Sequence, residues 1–330
     1  MHDTRSTQRI GFLLLPKFSM LALVCALEPL RVANRFAGPL YSWHLVSDDG
    51  RPVTASNSVP MVVEGRLSEA RDLSMLIVCA SYDPEAAVTA AMLSQLRQLS
   101  RFGTALGSLD SGCFVLARAG LLDGYRVTLH WESVPAFAER FPKVETSMGL
   151  FEIDRDRLTS PGATASLDMM LHLIRTRHGE ELAMAVTDQI VYQRVRGPAA
   201  SQRLAVGDRL RVTDPVVIRA VETMEDAIEE PLSAAALADA AGTTERQLER
   251  LFRRHLDTTP KRFYLNLRLE RARQLLVDTD MRVVEVAVAC GFGSAAHFAR
   301  AYKARYGKPP TSHRPRAVPP PLIPIGESGL

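Results

Sequence analysis

A short stretch near the middle of the chain carries side chains that could do chemistry, Asp110-Ser111-Gly112-Cys113-Phe114, and His130 follows it. The apolar residues 104–109 predict a strand, and a predicted helix begins directly after it. A strand-to-helix turn of this kind is the geometry of a nucleophile elbow, which exposes one side chain above the carboxyl edge of a sheet. A thiol beside an imidazole can attack an acyl carbon, so Cys113 and His130 could serve a thiol-dependent amidase or glyoxalase-like enzyme. However, Asp110 stands at the elbow, and Cys113 faces another side of the helix.

Asp110 at the elbow favours a second interpretation, a binding site without catalysis. A carboxylate does not easily replace a thiolate as a nucleophile, and a partly buried carboxylate is costly unless a cation meets it. Aromatic rings can enclose an ammonium group at about 0.5–2 kcal/mol each. We therefore expect a small cationic ligand, bound by Asp110, Cys113, Phe114, His130, Trp131 and Thr164, with Tyr82, Trp43, Ser166 and Asp168 as further candidates. The alternatives are core packing for the rings and a satisfied histidine at a strand end.

An internal repeat near the C-terminus carries a second set of candidate residues. Ala238, Gly242, Leu248 and Phe252 recur about fifty residues later as Ala287, Gly291, Phe298 and Tyr302. Each copy predicts a helix-turn-helix unit: a short helix with a small packing residue, a glycine with positive φ, and a second helix with apolar residues one turn apart.

The outward face of each second helix carries residues that can bind DNA. Arginine can contact guanine with two hydrogen bonds, and other polar side chains can hold phosphates. In the first copy these are Thr244 as the N-cap, Arg246, Gln247, Glu249, Arg250, Arg253 and Arg254; in the second they are Ser294 as the N-cap, His297, Arg300 and Lys303. For a single unit of this kind, the alternative is a helical bundle with a charged surface. The presence of two units in register argues against this alternative.

The elements that must position these residues differ between two parts of the chain. Up to about residue 196, short apolar runs alternate with longer helical stretches: residues 10–15 and 21–36, 76–79 and 84–102, 104–109 and 112–119. Strands that alternate with helices predict an α/β fold with a parallel sheet between helices. After Pro215 only amphipathic helices are predicted.

The short, polar and basic residues 196–213 predict a linker and hinge between the two parts. Asp214-Pro215 then provides an N-cap with proline at the first helical position. We expect a ligand-sensing and dimerisation domain over residues 1–195, a DNA-binding domain over 214–316, and a disordered proline-rich tail over 317–330.

Charge and cysteine content narrow the function further. Residues 1–195 have a net charge of −2, whereas residues 242–316 carry 16 basic and 7 acidic side chains, as a nucleic-acid contact surface would. The four cysteines, Cys25, Cys79, Cys113 and Cys290, show no spacing typical of disulfide frameworks or metal sites, so neither a metal nor a cofactor is expected. The first apolar run is too short for a signal peptide or a membrane span, so we expect a cytoplasmic protein without membrane contact.

Residues 232–276 and 283–310 resemble the DNA-binding domain of the AraC/XylS family. The most diagnostic positions are Gly291-Phe292, Phe298, Tyr302-Lys303, Gly307 and Pro309-Pro310. The resemblance implies seven helices in two subdomains, joined by a long helix over about residues 260–277, with two recognition helices in successive major grooves. It also implies base contacts by Arg246, Glu249 and Arg250 and by Ser294, His297 and Arg300. Since Ala295 and Ala296 stand where polar readers often lie, the second unit is expected to contact fewer bases.

Residues 107–131 resemble the PfpI/class I glutamine-amidotransferase-like superfamily, specifically the sensor of GlxA-type AraC regulators, and the resemblance extends over residues 9–194. It implies a flavodoxin-like sheet. In the catalytic branches a cysteine occupies the elbow, with a histidine downstream and an acid in the first helix. Here Asp110 holds the position of the cysteine, His130 matches the histidine, and Ala22 replaces the acid. Regulators that resemble this chain control the catabolism of quaternary amines, such as glycine betaine and carnitine, or of arginine.

The sequence is compatible with three functions, which it supports to different degrees. A ligand-gated transcription factor comes first, a thiol enzyme with an accessory DNA domain second, and a constitutive DNA-binding protein third. The first predicts double-stranded DNA, a small cationic metabolite and RNA polymerase as partners. It also predicts a homodimer formed through the α/β domain and activation of a catabolic operon.

Overall fold

The computed structural model describes residues 7–279 and 281–313. The predicted tail over residues 317–330 and the predicted end of the DNA-binding domain at residue 316 lie outside the described residues. The chain forms two compact units, Met1–Leu204 and Ala205–Leu330. The division therefore falls inside the predicted linker.

The first unit is organised around a seven-stranded sheet. Its strands and those of two small sheets are β1 (Gln8–Leu14), β2 (Tyr41–Ser47), β3 (Val53–Thr54), β4 (Pro60–Met61), β5 (Gly65–Arg66), β6 (Met75–Ala80), β7 (Ala105–Asp110), β8 (Arg126–Thr128), β9 (Glu145–Ser147), β10 (Glu152–Asp154) and β11 (Arg157–Ser160). The order in the main sheet is β10-β11-β7-β6-β1-β2-β5, and every neighbouring pair is parallel except β10 with β11. The predicted α/β fold is confirmed.

Helices cover both faces of this sheet. They are α1 (Met20–Ala37), α2 (Ala90–Arg101), α3 (Gly112–Arg118), α4 (Val134–Arg140), α5 (Ala165–His178) and α6 (Glu180–Gln189). Because side chains alternate along a strand, Ile10, Phe12 and Leu14 enter the core beneath α1, α5 and α6. Leu13 and Leu15 enter the core on the other face, beneath α2, α3 and α4.

The predicted helix over residues 84–102 is divided. Pro84–Ala87 forms a single 3₁₀ turn, and α2 begins only at Ala90. Thr89 caps α2, since its hydroxyl accepts a hydrogen bond from the backbone N–H of Met92 at 3.0 Å. A side-chain cap inside an apolar stretch therefore begins a new helix there.

The second unit is helical, and its described residues contain no strand. Its helices are α7 (Val206–Leu210), α8 (Pro215–Asp226), α9 (Ala234–Ala240), α10 (Glu245–Leu256), α11 (Pro260–Asp278), α12 (Val283–Ala289) and α13 (Ala295–Tyr306), and a 3₁₀ turn follows at Pro310–His313. As predicted, Asp214 caps α8, and its carboxylate accepts hydrogen bonds from the N–H groups of Val216 and Val217. The long helix α11 ends within one residue of the predicted position.

Residues 196–203 do not form the free hinge that their composition predicted. They lie on the first unit, where the backbone N–H of Leu150 donates to Pro198 O at 2.9 Å and Ser201 pairs with Gly149. Among residues 7–279 and 281–313, no helix is both long and apolar enough to cross a membrane.

Candidate functional site

The first helix-turn-helix unit consists of α9, a turn at Gly242, and α10. Gly242 has φ 72°, a conformation that favours glycine, and it reverses the chain after α9. Thr244 caps α10 through a hydrogen bond from the N–H of Gln247 at 3.3 Å. Leu248, Leu251 and Phe252 point into the core of the unit. The helix is thus fixed by a cap and by one apolar stripe, which leaves its other side open.

The second unit repeats this construction with α12, a turn at Gly291, and α13. Gly291 has φ 70°, and the hydroxyl of Ser294 accepts a hydrogen bond from the N–H of His297 at 3.2 Å. Phe298 and Tyr302 are completely buried. In both units, a glycine turn, a side-chain N-cap and buried apolar side chains hold the second helix in place.

Two arginines fix the turns, and neither was among the predicted residues. Arg219 of α8 donates through Nη2 to Ala241 O at 2.8 Å, at the start of the first turn. Arg268 of α11 donates to Cys290 O at 2.8 Å and to Gly291 O at 2.6 Å, and it stacks on the Phe292 ring at 4.3 Å. Along the chain, Arg268 is as far from Arg219 as Gly291 is from Gly242. The repeat offset could therefore have identified the pair.

The outward faces of α10 and α13 present the predicted DNA-contacting side chains. Those that are exposed are Thr244, Arg246, Glu249, Arg250, Arg253, Arg254, Ser294, His297, Arg300 and Lys303, and Gln247 is half-buried. Within the described part of the chain, no ion pair engages Arg246, Arg250 or Arg300. The hydroxyls of Thr244 and Ser294 serve as caps, and His297 packs its ring against Phe292 at 5.6 Å. Ala296 is exposed on α13, so this face carries fewer polar groups than that of α10.

The elbow at the end of β7 has the predicted form. Asp110 is the last residue of β7 and has φ 58°, which is unusual for a residue with a side chain. Two glycines allow it. A Cβ on Gly112 would lie 2.4 Å from Val78 O, and one on Gly162 would lie 2.9 Å from Cβ of Asp110. The backbone is thus packed tightly around a side chain at the carboxyl edge of the sheet.

Neighbouring polar groups partly offset the effect of burial on the pKa of Asp110. Burial raises the pKa of Asp110 above its usual range, while a hydrogen bond from Ser81 and the nearby His130 act to lower it. Ser81 directly follows β6, the neighbouring strand. In the described chain, no lysine or arginine forms an ion pair with Asp110. The site thus holds a carboxylate that lacks a strong cationic partner.

Cys113 lies in the core and not in the site. It is completely buried, with Sγ 2.9 Å from Ser108 Oγ and 3.5 Å from Thr128 O. Burial raises the pKa of this thiol to about 12, so almost no thiolate exists at neutral pH. The prediction that Cys113 binds the ligand is wrong, because the first turn of α3 points it into the sheet.

The predicted aromatic wall is only partly present. Phe114 is buried, and its ring packs edge-on against Phe137 at 5.1 Å, so it belongs to the core. Trp43 lies within β2 opposite Ile10, away from the strand ends. Trp131 adjoins His130, with 5.6 Å between ring centroids, and Tyr82 is 66% exposed beside Ser81. Trp131 and Tyr82 therefore remain as candidate aromatic groups.

Thr164 and Asp168 have a partner in the chain itself. Asp168 is completely buried and forms an ion pair with Arg196 at 2.6 Å, and the Tyr192 hydroxyl donates to the same carboxylate. Arg196 also donates to Thr164 Oγ1 at 2.8 Å. Ser166 is buried in α5. These contacts bind Arg196 to the loop and helix that follow β11. The hydroxyl of Thr164, which was predicted to bind the ligand, accepts a hydrogen bond from Arg196 instead.

Comparison with known proteins decides the family. A family model described as a helix-turn-helix domain matches residues 237–316. The chain is 48% identical to the HTH-type transcriptional regulator CdhR of Pseudomonas aeruginosa, over 95% of this chain and 96% of that protein. It is 40% identical to the HTH-type transcriptional regulator GlxA of Rhizobium meliloti, over 96% and 98%. An AraC family transcriptional regulator from Pseudomonas putida superposes with a TM-score of 0.52 at 30% identity, over 56% of this chain and 99% of that one. The chain belongs to the GlxA-type AraC family.

The first unit of this GlxA-type regulator has the fold that the resemblance implied. A THiJ/PfpI family protein from Pseudomonas syringae superposes with a TM-score of 0.52 at 22% identity, over 72% of this chain and 90% of that one. At this identity the likeness concerns the fold alone. The flavodoxin-like, PfpI-like architecture is confirmed.

The GlxA-type regulator is a DNA-binding transcription factor and not an enzyme. Its relatives are named transcriptional regulators over nearly their whole length. The buried thiol agrees, because Cys113 cannot reach a substrate and the elbow carries a carboxylate. The thiol-enzyme alternative is therefore not favoured.

Arg250 of this regulator offers a direct test of the DNA-binding face. Arg250 is exposed on α10 and is predicted to contact a base, so Arg250→Ala should cost about 1–3 kcal/mol of discrimination at one base position. Footprint titrations on the operator and on single-base variants measure this. Arg97→Ala, an exposed arginine of the sensor helix α2, is the control and should bind as the wild type does. Unchanged base preference in Arg250→Ala would remove this residue from the set of base readers.

Proposed function

We propose that this regulator is a ligand-responsive activator of a catabolic operon whose effector is a small cationic amine or amino acid. A quaternary amine such as carnitine or glycine betaine is the favoured effector. The observation that carries this proposal is Asp110, a half-buried carboxylate held at positive φ at the carboxyl edge of the sheet. Ligands of open parallel sheets bind at that edge. A cationic ligand would provide the positive partner that the Asp110 carboxylate lacks.

Trp131 and Tyr82 support a quaternary ammonium in particular. Such a group cannot donate hydrogen bonds, so it is recognised by charge and by aromatic faces. Trp131 lies beside His130, and Tyr82 follows Ser81; both His130 and Ser81 act to lower the pKa of Asp110. Each ring therefore belongs to a loop, after β6 or after β8, that also carries a neighbour of Asp110.

Asp110→Asn tests this site. Calorimetry of the full chain against glycine betaine, carnitine, choline, sarcosine and arginine should show a binder, and the variant should weaken it at least about tenfold, since a charged contact becomes a neutral one. Asp83→Asn is the matched control, because Asp83 lies near the same edge but is exposed and paired with Lys17 at 2.8 Å. Absence of heat with all five amines, or wild-type affinity in Asp110→Asn, would reject the site.

The stability and the ligand affinity of the wild-type protein should both depend on pH through Asp110. Because the pKa of Asp110 is raised in the folded state, stability falls as pH rises from the unfolded pKa through the folded one. Binding of a permanently charged amine should rise over that same range, as the carboxylate ionises. His130 and Glu132, which face Asp110, modulate both effects. Asp110→Asn should abolish this rise, so that binding stays weak at every pH, and it should stabilise the first unit at neutral pH. Thermal unfolding with and without glycine betaine measures both effects.

We further propose a cytoplasmic homodimer that contacts RNA polymerase. Leu21 and Val24 of α1 and Met184 of α6 are exposed, beside a surface cavity of about 350 Å³ that Cys25, Glu28 and Leu167 help to line. Apolar side chains on adjoining helices are typical of a surface that another copy covers. Sedimentation equilibrium of the full chain tests this, and Met184→Glu should shift it toward a monomer.

A further inference from the structure

The candidate aromatic face of Trp131 already holds a cation from the chain itself. The guanidinium carbon of Arg203 lies 4.2 Å from the centroid of the Trp131 ring. This is the distance and arrangement of a cation–π contact. The guanidinium of Arg203 therefore occupies the ring that we propose for the cationic group of the ligand.

Arg203 belongs to a segment, residues 198–203, that we term the strap. Its neighbour Gln202 inserts its amide between two loops of the sensor. The Nε2 group lies 3.0 Å from each of three acceptors, Thr128 Oγ1, Leu129 O and Gly149 O. The Oε1 atom accepts a hydrogen bond from the N–H of Trp131 at 2.9 Å. The strap is thus bound to the same loop that carries His130 and Trp131.

The strap also has a fixed place at its beginning. Arg196, two residues before it, binds Asp168 and Thr164 in the loop and helix that follow β11. A Cβ added to Gly162 of that loop would lie 2.9 Å from Cβ of Asp110, so the loop adjoins Asp110. The attachments at Arg196 and at Gln202 therefore include loops that adjoin Asp110, and the first unit ends directly after the strap, at Leu204.

We propose that the strap reports the occupancy of the Asp110 site to the DNA-binding unit, and that Arg203 is a built-in cation which the ligand displaces from Trp131. This inference rests on the proposed function, since it takes the effector to be a cation. A ligand cation on the face of the Trp131 ring that Arg203 covers must displace Arg203, so the two compete. Displacement of Arg203 weakens the strap at its last residue, and only Leu204 separates that residue from the second unit. A ligand changes an equilibrium only through such a difference in contacts between two states.

The decisive variant is Arg203→Met, which keeps an apolar side chain of similar length but removes the charge. Arg203→Lys is the matched control, because it keeps a cation for Trp131. The full chain is used throughout, in a Trp43→Phe background, so that Trp131 is the single tryptophan. Glycine betaine, carnitine, choline, sarcosine and arginine are titrated by calorimetry and by Trp131 fluorescence. Amide hydrogen exchange over residues 198–203 is measured without any amine.

Three results are expected. Without any amine, exchange over residues 198–203 is faster in Arg203→Met than in the wild type or in Arg203→Lys. The effector binds Arg203→Met about fivefold more tightly, because no internal cation competes. The operator affinity of unliganded Arg203→Met moves toward that of the liganded wild type.

Opposite results have separate meanings. Effector binding that is equal in Arg203→Met and the wild type overturns the displacement and leaves the proposed effector class intact. Unchanged exchange over residues 198–203 also overturns this inference alone. If none of the five amines binds any of the three proteins, the proposed function fails, and displacement by an amine fails with it.

Discussion

Gly291→Ala is expected to destabilise the DNA-binding unit by about 3 kcal/mol and to weaken operator binding strongly. The residue has φ 70°, where an added side chain costs about 1–2 kcal/mol. A Cβ there would also lie 2.5 Å from the Pro231 ring and 2.8 Å from Glu229 O, so the backbone would have to shift. Urea unfolding monitored by circular dichroism, together with operator titration, measures both effects.

Gly242→Ala is the control that the internal repeat provides. Gly242 has φ 72°, but the nearest atom to an added Cβ is Arg219 Nη2 at 3.6 Å, an ordinary contact. This variant should therefore cost only the conformational term, about 1–2 kcal/mol. Equal losses in the two variants would show that the contact of Gly291 with Pro231 contributes nothing.

Arg196→Met should destabilise the sensor by about 3 kcal/mol. Asp168 is completely buried and accepts hydrogen bonds from Nε, Nη2 and the backbone N–H of Arg196, so removal of the side chain leaves a buried charge without its cation. Unfolding of the sensor can be followed by tryptophan fluorescence, because Trp43 and Trp131 both lie in the first unit.

Two comparisons give this prediction its specificity. Arg31→Met removes one partner of an exposed ion pair on α1, with Glu28, and should have little effect. The double variant Arg196→Met, Asp168→Leu should recover a large part of the lost stability, since it removes the buried charge as well. A double variant as unstable as the single one would mean that packing, and not the charge, causes the loss.

The helix-turn-helix units were predictable because their signals are local and repeated. The spacing of Ala238 and Gly242, and of Ala287 and Gly291, specifies a short helix and a turn without reference to the rest of the chain. The caps Thr244 and Ser294 followed from the same pattern. The strand before Asp110 was equally local, and so was the elbow.

The sensor site was less predictable because its composition depends on contacts between distant residues. The sequence places Cys113 and Phe114 after a strand but does not say which side of α3 faces the sheet. Residues 196–203 have the polar composition of a linker, yet Gln202 bonds to Thr128 and Arg196 to Asp168. Polar residues that satisfy buried acceptors resemble solvent-exposed ones in a sequence.

The paired arginines Arg219 and Arg268 have a consequence for how operator specificity can change. Each fixes a turn from behind through main-chain carbonyls and makes no use of the outward side chains of α10 or α13. The turn of each unit therefore does not depend on the exposed arginines Arg246, Arg250 and Arg300, so these residues can change separately in the two units while the caps Thr244 and Ser294 are kept. Exchanging the exposed residues of α10 for those of another family member should retarget one half of the operator and leave the other half unchanged.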